Sequence, residues 1–385
     1  MAPRTVGVEE ELLLVDPATR QASPSSGALL AAHHRTHEFR PVRATSLDKE
    51  LFQHQLETRT EPTADLASLR EQLVAARDTV GRAARALGLA AVAVATVPLA
   101  DDVRLTPDDR YEDMVVRYAE IARHSGTCGM HVHVAIESDE EGVAVIDRIG
   151  PWLPALRAIS ANSPYADGRD TGYASWRSQL WSHWPSAGPT EAFWSLAAYR
   201  QLCRELMEFG AARDPGMLYF DARLSARQPT VEVRIFDVCT DPADAVLLAA
   251  LVRGLVEHTA RCWRSGDAPP VWRTETLRAA HWRASRLGVA DTLVHPVLRR
   301  LAPAGEVLQA VVGHVREELE EAGDAGLVAE GLARALEGRG GAVRQRAAYA
   351  RAGSIEGVVD DLVERSEAVW ATGGAREAPR GRRNA

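Results

Sequence analysis

The sequence predicts an α+β domain in which a mostly antiparallel sheet is covered by helices. Short segments of alternating or apolar character, typical of strands, recur up to residue 237. Amphipathic segments of helical period separate these strands and then occupy most of the chain to about residue 370. Neither an internal repeat nor a break in composition marks a boundary. We therefore expect one domain over residues 1–374 and a disordered Arg-rich tail at 375–385.

Composition narrows the class of function. The chain has 385 residues and a formal net charge of −8, which argues against nucleic acid as the main partner. Lys49 is the only lysine, and the absence of a G-x-x-x-x-G-K-[ST] pattern excludes a P-loop nucleotide site. The four cysteines are scattered, as is typical of a reducing compartment. With neither a signal-peptide pattern nor an apolar run of membrane-spanning length, we expect a soluble, cytoplasmic protein.

The first strand carries the strongest chemical signal. Residues 6–16 read V-G-V-E-E-E-L-L-L-V-D and end in a turn at Asp16-Pro17. Because side chains alternate along a strand, Glu9 and Glu11 share one face, with backbones about 7 Å apart, and Glu10 takes the other. Such a pair suits two hard cations side by side, since close carboxylates otherwise repel each other. A solvated edge strand is the alternative.

Three further segments carry polar residues that could face the same site, and two of them place a pair at i and i+2 on one strand face. The first, residues 45–62, contains Glu50 and Glu57, which are otherwise ordinary surface residues. The second is the strand with His131 and His133, which could instead be a buried histidine pair. The third is the strand T-V-E-V-R-I-F-D with Glu232 and Arg234, which could be a cross-strand salt bridge. These four residue pairs are Glu9 and Glu11, Glu50 and Glu57, His131 and His133, and Glu232 and Arg234.

A shared metal site explains all four strands together. If the strands are neighbours, five carboxylates and two imidazoles converge on one surface. Oxygen-rich ligands with a minority of nitrogen favour Mg²⁺ or Mn²⁺ over zinc. The sequence therefore predicts an acidic metal site on one face of the sheet.

The remaining segments surround these strands. Helices are expected at 65–87, 112–123, 139–149, 152–162 and 190–209, strands at 89–96 and 217–225, and an irregular connection at 18–41. Residues 164–189 form a long Trp-rich segment that we expect to be a loop for substrate binding and closure. Within it, Arg177 could hold a carboxylate, or could be a solvent-facing arginine of a packed loop. Arg110, in a preceding loop, is a weaker candidate for substrate binding.

The motifs resemble those of the bacterial type 2 glutamate–cysteine ligases, also described as carboxylate–amine ligases. The matching stretches are G-V-E-E-E-L, the Q-x-E strand before T-E-P, C-G-M-H-V-H-V and V-E-V-R-I-F-D, and the resemblance runs from about residue 5 to about 370. It implies membership of the glutamine synthetase-like superfamily, with a saddle-shaped antiparallel sheet. It also implies an ATP-dependent ligase with two or three Mg²⁺ ions, which acts through an acyl phosphate. The stretch G-A-V-R-Q at 341–345 also looks typical of the family, without an evident role.

The resemblance also implies roles for individual residues. Glu11, Glu50 and Glu57 would hold the metal nearer the acyl substrate, with Glu50 in the loosest motif. Glu9, His131 and Glu232 would hold the metal that bridges the ATP phosphates. In addition, His133 would lie near the phosphates, and Arg234 would stabilise the phosphoryl group during its transfer.

Two other classes of function compete with a ligase. A metal-dependent amidohydrolase also uses H-x-H on a strand, but such sites need further histidines and an aspartate, where this chain has Glu232 and Arg234. The second competing class is a non-catalytic relative that binds a nucleotide. For a ligase, the partners would be a small carboxylate and an amine, such as amino acids, and the resemblance also implies a homodimer.

Overall fold

The computed structural model describes residues 2–37, 46–100 and 104–373. Its strands are β1 (Val6–Val15), β2 (Ser46–Lys49), β3 (Gln55–Arg59), β4 (Ala90–Val92), β5 (Gly129–Ala135), β6 (Tyr165–Ala166), β7 (Arg169–Asp170), β8 (Ala222–Leu224), β9 (Thr230–Asp237), β10 (Thr292–Val294) and β11 (Leu301–Pro303). Its α-helices are α1 (Ser26–His37), α2 (Leu66–Ala86), α3 (Asp109–Tyr118), α4 (Glu120–Arg123), α5 (Asp139–Ile149), α6 (Leu153–Ser160), α7 (Arg177–Trp181), α8 (Leu196–Glu208), α9 (Pro242–Arg264), α10 (Thr274–Leu287), α11 (Ala304–His314), α12 (Arg316–Ala322), α13 (Ala325–Arg334), α14 (Gly341–Ala352) and α15 (Ile355–Gly373). The predicted tail at 375–385 lies outside the described residues.

The main sheet has the order β2-β3-β1-β5-β9-β8, and β4 also pairs with β1. All of its strand pairs are antiparallel. β1 lies at the centre because its first half pairs with β5 and its second half with β4, while β3 covers its other side. The strands that carry chemistry in the sequence are therefore neighbours, as predicted.

Strand register brings the polar residues into line on one face. Glu9 lies opposite His131 in the β1–β5 ladder, and Glu11 lies opposite Glu57 in the β1–β3 ladder. On the far side of β5, His133 lies opposite Glu232. Because alternation puts every second side chain on the same face, these residues converge on one surface.

The other face of the sheet is covered by helices. It presents Val8, Met130 and Val132, all buried, to α2 and α9. Glu10 also points to this side and is fully buried, where Arg77 of α2 donates two hydrogen bonds to its carboxylate, at 2.9 and 2.6 Å. A carboxylate buried without such a partner would be strongly destabilising. The face opposite the polar one is thus the packed face.

Helix α2 matches its prediction closely, since Asp65 caps it through a hydrogen bond from Ala67 N at 2.9 Å. The irregular connection expected at 18–41 is wrong for residues 26–37, which form α1. That segment is helical because Leu29 is fully buried in the core around β1, a tertiary contact that local composition does not reveal. The helix expected at 112–123 is divided into α3 and α4 at Ala119, whose φ is +48°.

Other boundaries shift because tertiary contacts override local patterns. The strand expected at 89–96 is paired only over β4, and Thr96 makes an isolated bridge to Thr127. The strand expected at 217–225 begins instead with a 3-10 turn at Pro215–Met217, and only β8 pairs. The helix expected at 190–209 starts later, at α8, where the Ser195 hydroxyl accepts a hydrogen bond from Ala198 N at 3.1 Å.

The Trp-rich segment 164–189 is structured. It contains the β6–β7 hairpin and helix α7, and Trp184 is 2% exposed. The rings of Trp181 and Trp184 contact Tyr219, with centroids 4.6 and 5.4 Å apart. The segment is therefore packed, as in the packed-loop alternative, although the hairpin and α7 give it secondary structure that the sequence analysis did not predict. Among the helices described, none has both the length and the apolar character needed to span a bilayer.

Candidate active site

Glu9 is the centre of the polar face. Its Oε2 lies 3.2 Å from His131 Nδ1 and 3.7 Å from His133 Nε2, and its Oε1 accepts a hydrogen bond from Arg59 Nε at 3.1 Å. Burial acts to raise the pKa of Glu9, but the hydrogen bonds and charges of the two histidines outweigh it. The pKa is therefore held well below its ordinary value, and Glu9 is ionised.

Two groups of possible metal ligands share this residue. Glu9, His133 and Glu232 form one group, and Glu9, Glu57 and His131 form the other. Within each group the ligand atoms lie within 4.8 Å of one another. The structure thus brings together five of the predicted residues, whereas Glu11 and Glu50 belong to neither group. The groups also divide the histidines differently from the sets that the resemblance implied.

The carboxylates beyond Glu9 crowd one another. Desolvation and the charge of Glu11 raise the pKa of Glu50 to about 8. Desolvation and the charge of Glu50 raise the pKa of Glu57 well above its ordinary value. Glu11 accepts a hydrogen bond from Gly129 N at 2.6 Å and belongs to neither of the two ligand groups. A cation at this end of the site would relieve the repulsion that raises these pKa values.

Glu232 is held by two arginines. Arg223 Nε donates to Glu232 Oε2 at 2.8 Å, and Arg234 donates to Glu232 Oε1. Burial acts to raise the pKa of Glu232, but the two guanidinium charges hold it below its ordinary value. Arg234 also lies over the ring of Tyr219, 5.7 Å from the centroid. Arg234 is therefore a fixed cation at the edge of the acidic surface.

His133 is oriented by Thr230, whose hydroxyl lies 3.0 Å from His133 Nδ1. This contact leaves Nε2 on the side of Glu9. Within the described parts of the chain, the buried Nε2 atoms of both His131 and His133 have no hydrogen-bond partner. Burial and the charge of Arg234 lower the pKa of His131, which favours the neutral form that binds metals.

Arg177 is one of the largest fully buried side chains, at 2% exposure, and its guanidinium lies next to Gly129. It is therefore not the solvent-facing arginine that the sequence left open. A Cβ added to Gly129 would lie 2.2 Å from Arg177 Nη2. The charges of Asp237 and Glu11 act on the pKa of Arg177, which burial lowers, so the three groups are close. Arg177 thus lies beside the carboxylate end of the site.

A buried polar network fixes the position of Asp237. Its carboxylate accepts hydrogen bonds from Asn162 N at 2.8 Å, Ser163 Oγ at 2.7 Å and Ser175 Oγ at 2.8 Å. Gln345, in the family-like stretch 341–345, donates to Asn162 Oδ1 at 2.8 Å. The stretch that had no evident role in sequence therefore supports the segment that carries Arg177.

Arg110 lies apart from these groups. It lies in the first turn of α3 and not in a loop as predicted, and it forms an ion pair with Asp214 at 3.2 Å, while 38% of its side chain is exposed. Burial acts to lower the pKa of Arg110, but the hydrogen bond and charge of Asp214 outweigh it and raise the pKa. Arg110 belongs to neither group of possible metal ligands and is held by Asp214.

Sequence reasoning missed three residues that touch the site. Arg59 contacts Glu9, Glu57 and Asp48. Arg223 holds Glu232, and Thr230 orients His133. The alternation rule places Arg59 on the face of Glu57, two residues earlier, so that residue could have been found. Arg223 and Thr230 act across strand pairs and needed the register.

The chemistry of these residues fits a divalent metal. The donors are carboxylate oxygens and imidazole nitrogens, and two of the buried nitrogens lack partners among the described residues. Hard oxygen donors in the majority are the ligands of Mg²⁺ and Mn²⁺. Close carboxylates with raised pKa values also require a neutralising cation when they ionise.

Two solved structures have the same fold. A bifunctional glutathione synthetase from Pasteurella multocida aligns with a TM-score of 0.67 at 14% identity, over 96% of this chain and 52% of that one, so this chain spans about half its length. A glutamate–cysteine ligase from Francisella tularensis, in complex with AMP, aligns with a TM-score of 0.67 at 12% identity, over 96% and 90% of the chains. Both alignments show that this chain shares its fold with these two proteins.

The family follows from the sequence comparisons. The model of "Glutamate-cysteine ligase family 2 (GCS2)" matches residues 5–365. A Nocardioides protein named "Putative glutamate--cysteine ligase 2-1" is 59% identical over 371 residues, which cover 95% of this chain and 97% of the relative. The chain belongs to glutamate–cysteine ligase family 2. The ligase predicted from the motifs is confirmed, and the hydrolase and non-catalytic alternatives are not supported.

Proposed function

We propose that this enzyme uses ATP to join the γ-carboxylate of glutamate to the amine of cysteine through an acyl phosphate. The observation that carries the proposal is the convergence on one sheet face of two groups of metal ligands that share Glu9. Arg234 stands beside them as a fixed positive charge. This arrangement is suited to phosphoryl transfer, where positioning and charge neutralisation provide most of the catalysis.

The proposed metal ligands are the carboxylates and histidines of the polar face. They are Glu9, Glu11, Glu50, Glu57, His131 and Glu232, with His133 close enough to Glu9 to serve as a ligand or a phosphate contact. Bound Mg²⁺, or Mn²⁺, would neutralise the phosphate oxygens and polarise the phosphoryl group. Thr230 holds the His133 ring so that Nε2 faces Glu9.

The arginines have separate proposed roles. Arg234, fixed by Glu232 and by the Tyr219 ring, would donate hydrogen bonds to the phosphoryl group during transfer. Arg177 would attract the carboxylate of the acyl substrate, since its Nε has no hydrogen-bond partner among the described residues. Arg110 would contribute at the outer edge, by exchanging its ion pair with Asp214 for a substrate carboxylate.

The packed Trp-rich segment would keep water from the intermediate. A carboxylate is a poor electrophile, so its oxygen first takes the γ-phosphoryl group of ATP, with release of ADP. The amine then attacks the acyl carbon, the C–O bond to phosphate breaks, and an amide and inorganic phosphate result. If water entered the site, it would hydrolyse the acyl phosphate before the amine arrived. The buried rings of Trp184 and Tyr219 line this side of the site and support the exclusion of water.

The setting of the reaction is proposed with it. The Francisella ligase was solved in complex with AMP, which supports an adenine nucleotide as cosubstrate. All four cysteines are free thiols, which supports a reducing cytoplasmic location. We propose that residues 1–374 act as one catalytic domain and that the enzyme works as a homodimer on small amino-acid substrates.

The proposal is tested by product stoichiometry. Purified protein is incubated with glutamate, cysteine, ATP and Mg²⁺, and the dipeptide, ADP and phosphate are quantified by mass spectrometry and a phosphate assay. We expect equal amounts of all three, and none when ATP or the metal is left out. Dipeptide formed without ATP would overturn the proposal, as would ATP hydrolysis that does not depend on the paired amino acids.

A second experiment tests the identity of the two proposed substrates, glutamate and cysteine. Parallel reactions replace cysteine with other amino acids, and replace glutamate with aspartate, at equal concentrations. We expect glutamate with cysteine to give the highest kcat/KM. A different pair that turns over faster, with the same ATP stoichiometry, would correct the substrates and leave the ligase reaction intact.

A further inference from the structure

A second cavity lies in the helical layer and shares no residue with the candidate active site. Its volume is about 420 Å³, within the range of pockets that hold small organic ligands. It is formed by the C-terminal parts of α5 and α9, the end of α11, and the loops after α9 and β10. Its lining includes Arg148, Trp152, Cys262, Trp272, Arg299 and His314.

The walls of the cavity are flat and aromatic. The ring of His314 stacks on Trp152, with centroids 3.8 Å apart and planes inclined by 14°. Burial and the neighbouring His258 lower the pKa of His314 to about 4, so the stacked ring is neutral at physiological pH. On another side, Trp272 adds a second indole that is 9% exposed. Flat walls of this kind favour planar ligands.

The charged groups that line the cavity are mainly positive. Arg148 and Arg299 contribute two guanidinium groups, and Asp267 contributes one carboxylate. His258 also lines the cavity, but its Nδ1 lies 3.1 Å from Glu318, outside the lining. An anion therefore finds a net attractive field in the cavity.

Arg148 supplies a buried guanidinium to the cavity wall. The residue is 7% exposed, and its two terminal nitrogens donate to the carbonyl oxygens of Ala144 and Asp267. Each terminal nitrogen carries a second N–H group. Arg148 therefore offers the cavity a fixed positive charge and further donors for an anion.

Arg299 is held at the cavity by a strained backbone. Its φ is +53°, a conformation that a non-glycine residue rarely adopts, and its guanidinium lies over Trp272 at 4.6 Å from the ring centroid. Such strain persists where the surrounding structure requires it. An exposed arginine is thus positioned over the aromatic wall at the cavity's rim.

We propose that this cavity binds a small, flat aromatic anion, with one or two rings between the indoles and an acidic group at the two arginines. The proposal goes beyond the ligase reaction and does not depend on it. The rings would replace water against Trp152 and Trp272, and the acidic group would accept hydrogen bonds from Arg148 and Arg299.

The test uses 6-aminonaphthalene-2-sulfonate as the flat, two-ring anionic probe and 2-aminonaphthalene, which lacks the sulfonate, as its neutral counterpart. Binding to the full-length protein is measured by fluorescence titration. We expect one saturable site for the anion, and binding of the neutral probe about tenfold weaker because the charge-assisted contacts are lost. Equal affinity for both probes would overturn the assignment to an anion.

Matched arginine variants locate the site. Arg299→Met removes the guanidinium over Trp272, whereas Arg273→Met removes an exposed guanidinium that pairs with Glu191 and Glu275 outside the cavity. We expect Arg299→Met to weaken the anionic probe by about tenfold and Arg273→Met to leave its affinity unchanged. Equal effects of the two variants would overturn the site, and thermal unfolding confirms that both variants are folded.

Cys262 is an independent reporter of occupancy. Of the four cysteines, all within the described ranges, the other three are buried, and Cys262 is partly exposed and lines the cavity. Its reaction with a neutral disulfide reagent should slow as the anionic probe saturates, with the same midpoint as the fluorescence. The variant Cys262→Ser identifies the reacting thiol. Probe binding without protection of Cys262 would place the probe elsewhere and overturn the proposal.

Discussion

At the scale of single residues, Glu9 has the central position in the candidate site. It is the residue shared by both groups of candidate metal ligands, and it contacts His131, His133 and Arg59. Its depressed pKa follows from those contacts and keeps the carboxylate charged when a metal arrives. The glutamine isostere keeps its shape and removes its charge, which isolates the electrostatic contribution.

We expect Glu9→Gln to lower ATP-dependent product formation by at least about a hundredfold, because a neutral amide no longer supplies the charge that holds the metal. Initial rates over a Mg²⁺ titration are the measurement, and circular dichroism checks the fold. Glu61→Gln, on an exposed residue just after β3, is the matched control and should retain full activity. Full activity of Glu9→Gln would contradict the metal assignment.

Among the elements, strand β5 and helix α7 depend on each other. Gly129 begins β5, and the guanidinium of Arg177 occupies the space where a Cβ would stand, 2.2 Å from Nη2. A side chain at position 129 must therefore displace Arg177 or the strand.

We expect Gly129→Ala to raise the KM for glutamate by about tenfold or more if Arg177 holds the substrate carboxylate, since an arginine–carboxylate contact contributes about 1.5–3 kcal/mol. Steady-state kinetics is the measurement. Gly313→Ala in α11, where nothing lies within 4 Å of the added Cβ, is the control and should leave the KM unchanged. An unchanged KM for Gly129→Ala would remove Arg177 from substrate binding.

Helix α2 is joined to the centre of the sheet by the pair of Arg77 and Glu10. Both residues are buried, and Arg77 also donates to the carbonyl oxygens of Cys239 and Thr240. We expect Arg77→Met to lower the free energy of unfolding by about 3–5 kcal/mol, because Glu10 is left as an uncompensated buried charge.

Urea denaturation measures that loss, and a double variant tests its cause. Combining Arg77→Met with Glu10→Gln removes the orphaned charge and should recover part of the lost stability. If the double variant is less stable than the unaltered protein by the full sum of the two single costs, charge pairing is not the cause.

At the scale of the whole molecule, the crowded carboxylates couple stability to pH. Desolvation and Glu11 raise the pKa of Glu50 in the folded state to about 8, against 4.5 as the ordinary value. Between these two pH values the folded protein binds more protons than the unfolded one, so stability falls as pH rises. This contribution is complete below pH 4.5 and is lost as pH rises through 8.

We therefore expect the metal-free protein to lose about 2 kcal/mol more stability between pH 5 and 8 than Glu50→Gln does. A single titrating group can change the free energy of unfolding by at most about 1.4 kcal/mol per pH unit. Urea denaturation of both proteins in the presence of a chelator measures this difference. The histidines titrate in both proteins, so their contribution cancels in the comparison. Excess Mg²⁺ should stabilise the native protein more at pH 8 than at pH 5. If Mg²⁺ stabilised the protein equally at pH 5 and pH 8, this result would contradict a metal site built from carboxylates.

Much of the fold and of the site was predictable, for a local physical reason. Alternation along a strand puts Glu9 and Glu11 on one face from sequence alone, and the same rule applies to His131 and His133. Residues 26–37 were predicted wrongly because their helix depends on burial of Leu29 by distant segments. Arg223 was missed because its partner, Glu232, faces it across a strand pair.

By itself, the sequence determined which side chains share a face on the strands that carry the site, and the family that those motifs identify. Only the tertiary structure decided that Glu9 belongs to both ligand groups, that Arg177 is buried against Gly129, and that a separate aromatic cavity lies in the helical layer. The reason is that face and period depend on neighbours in the chain, whereas register, burial and pKa depend on residues from other segments, such as Glu9 and His131.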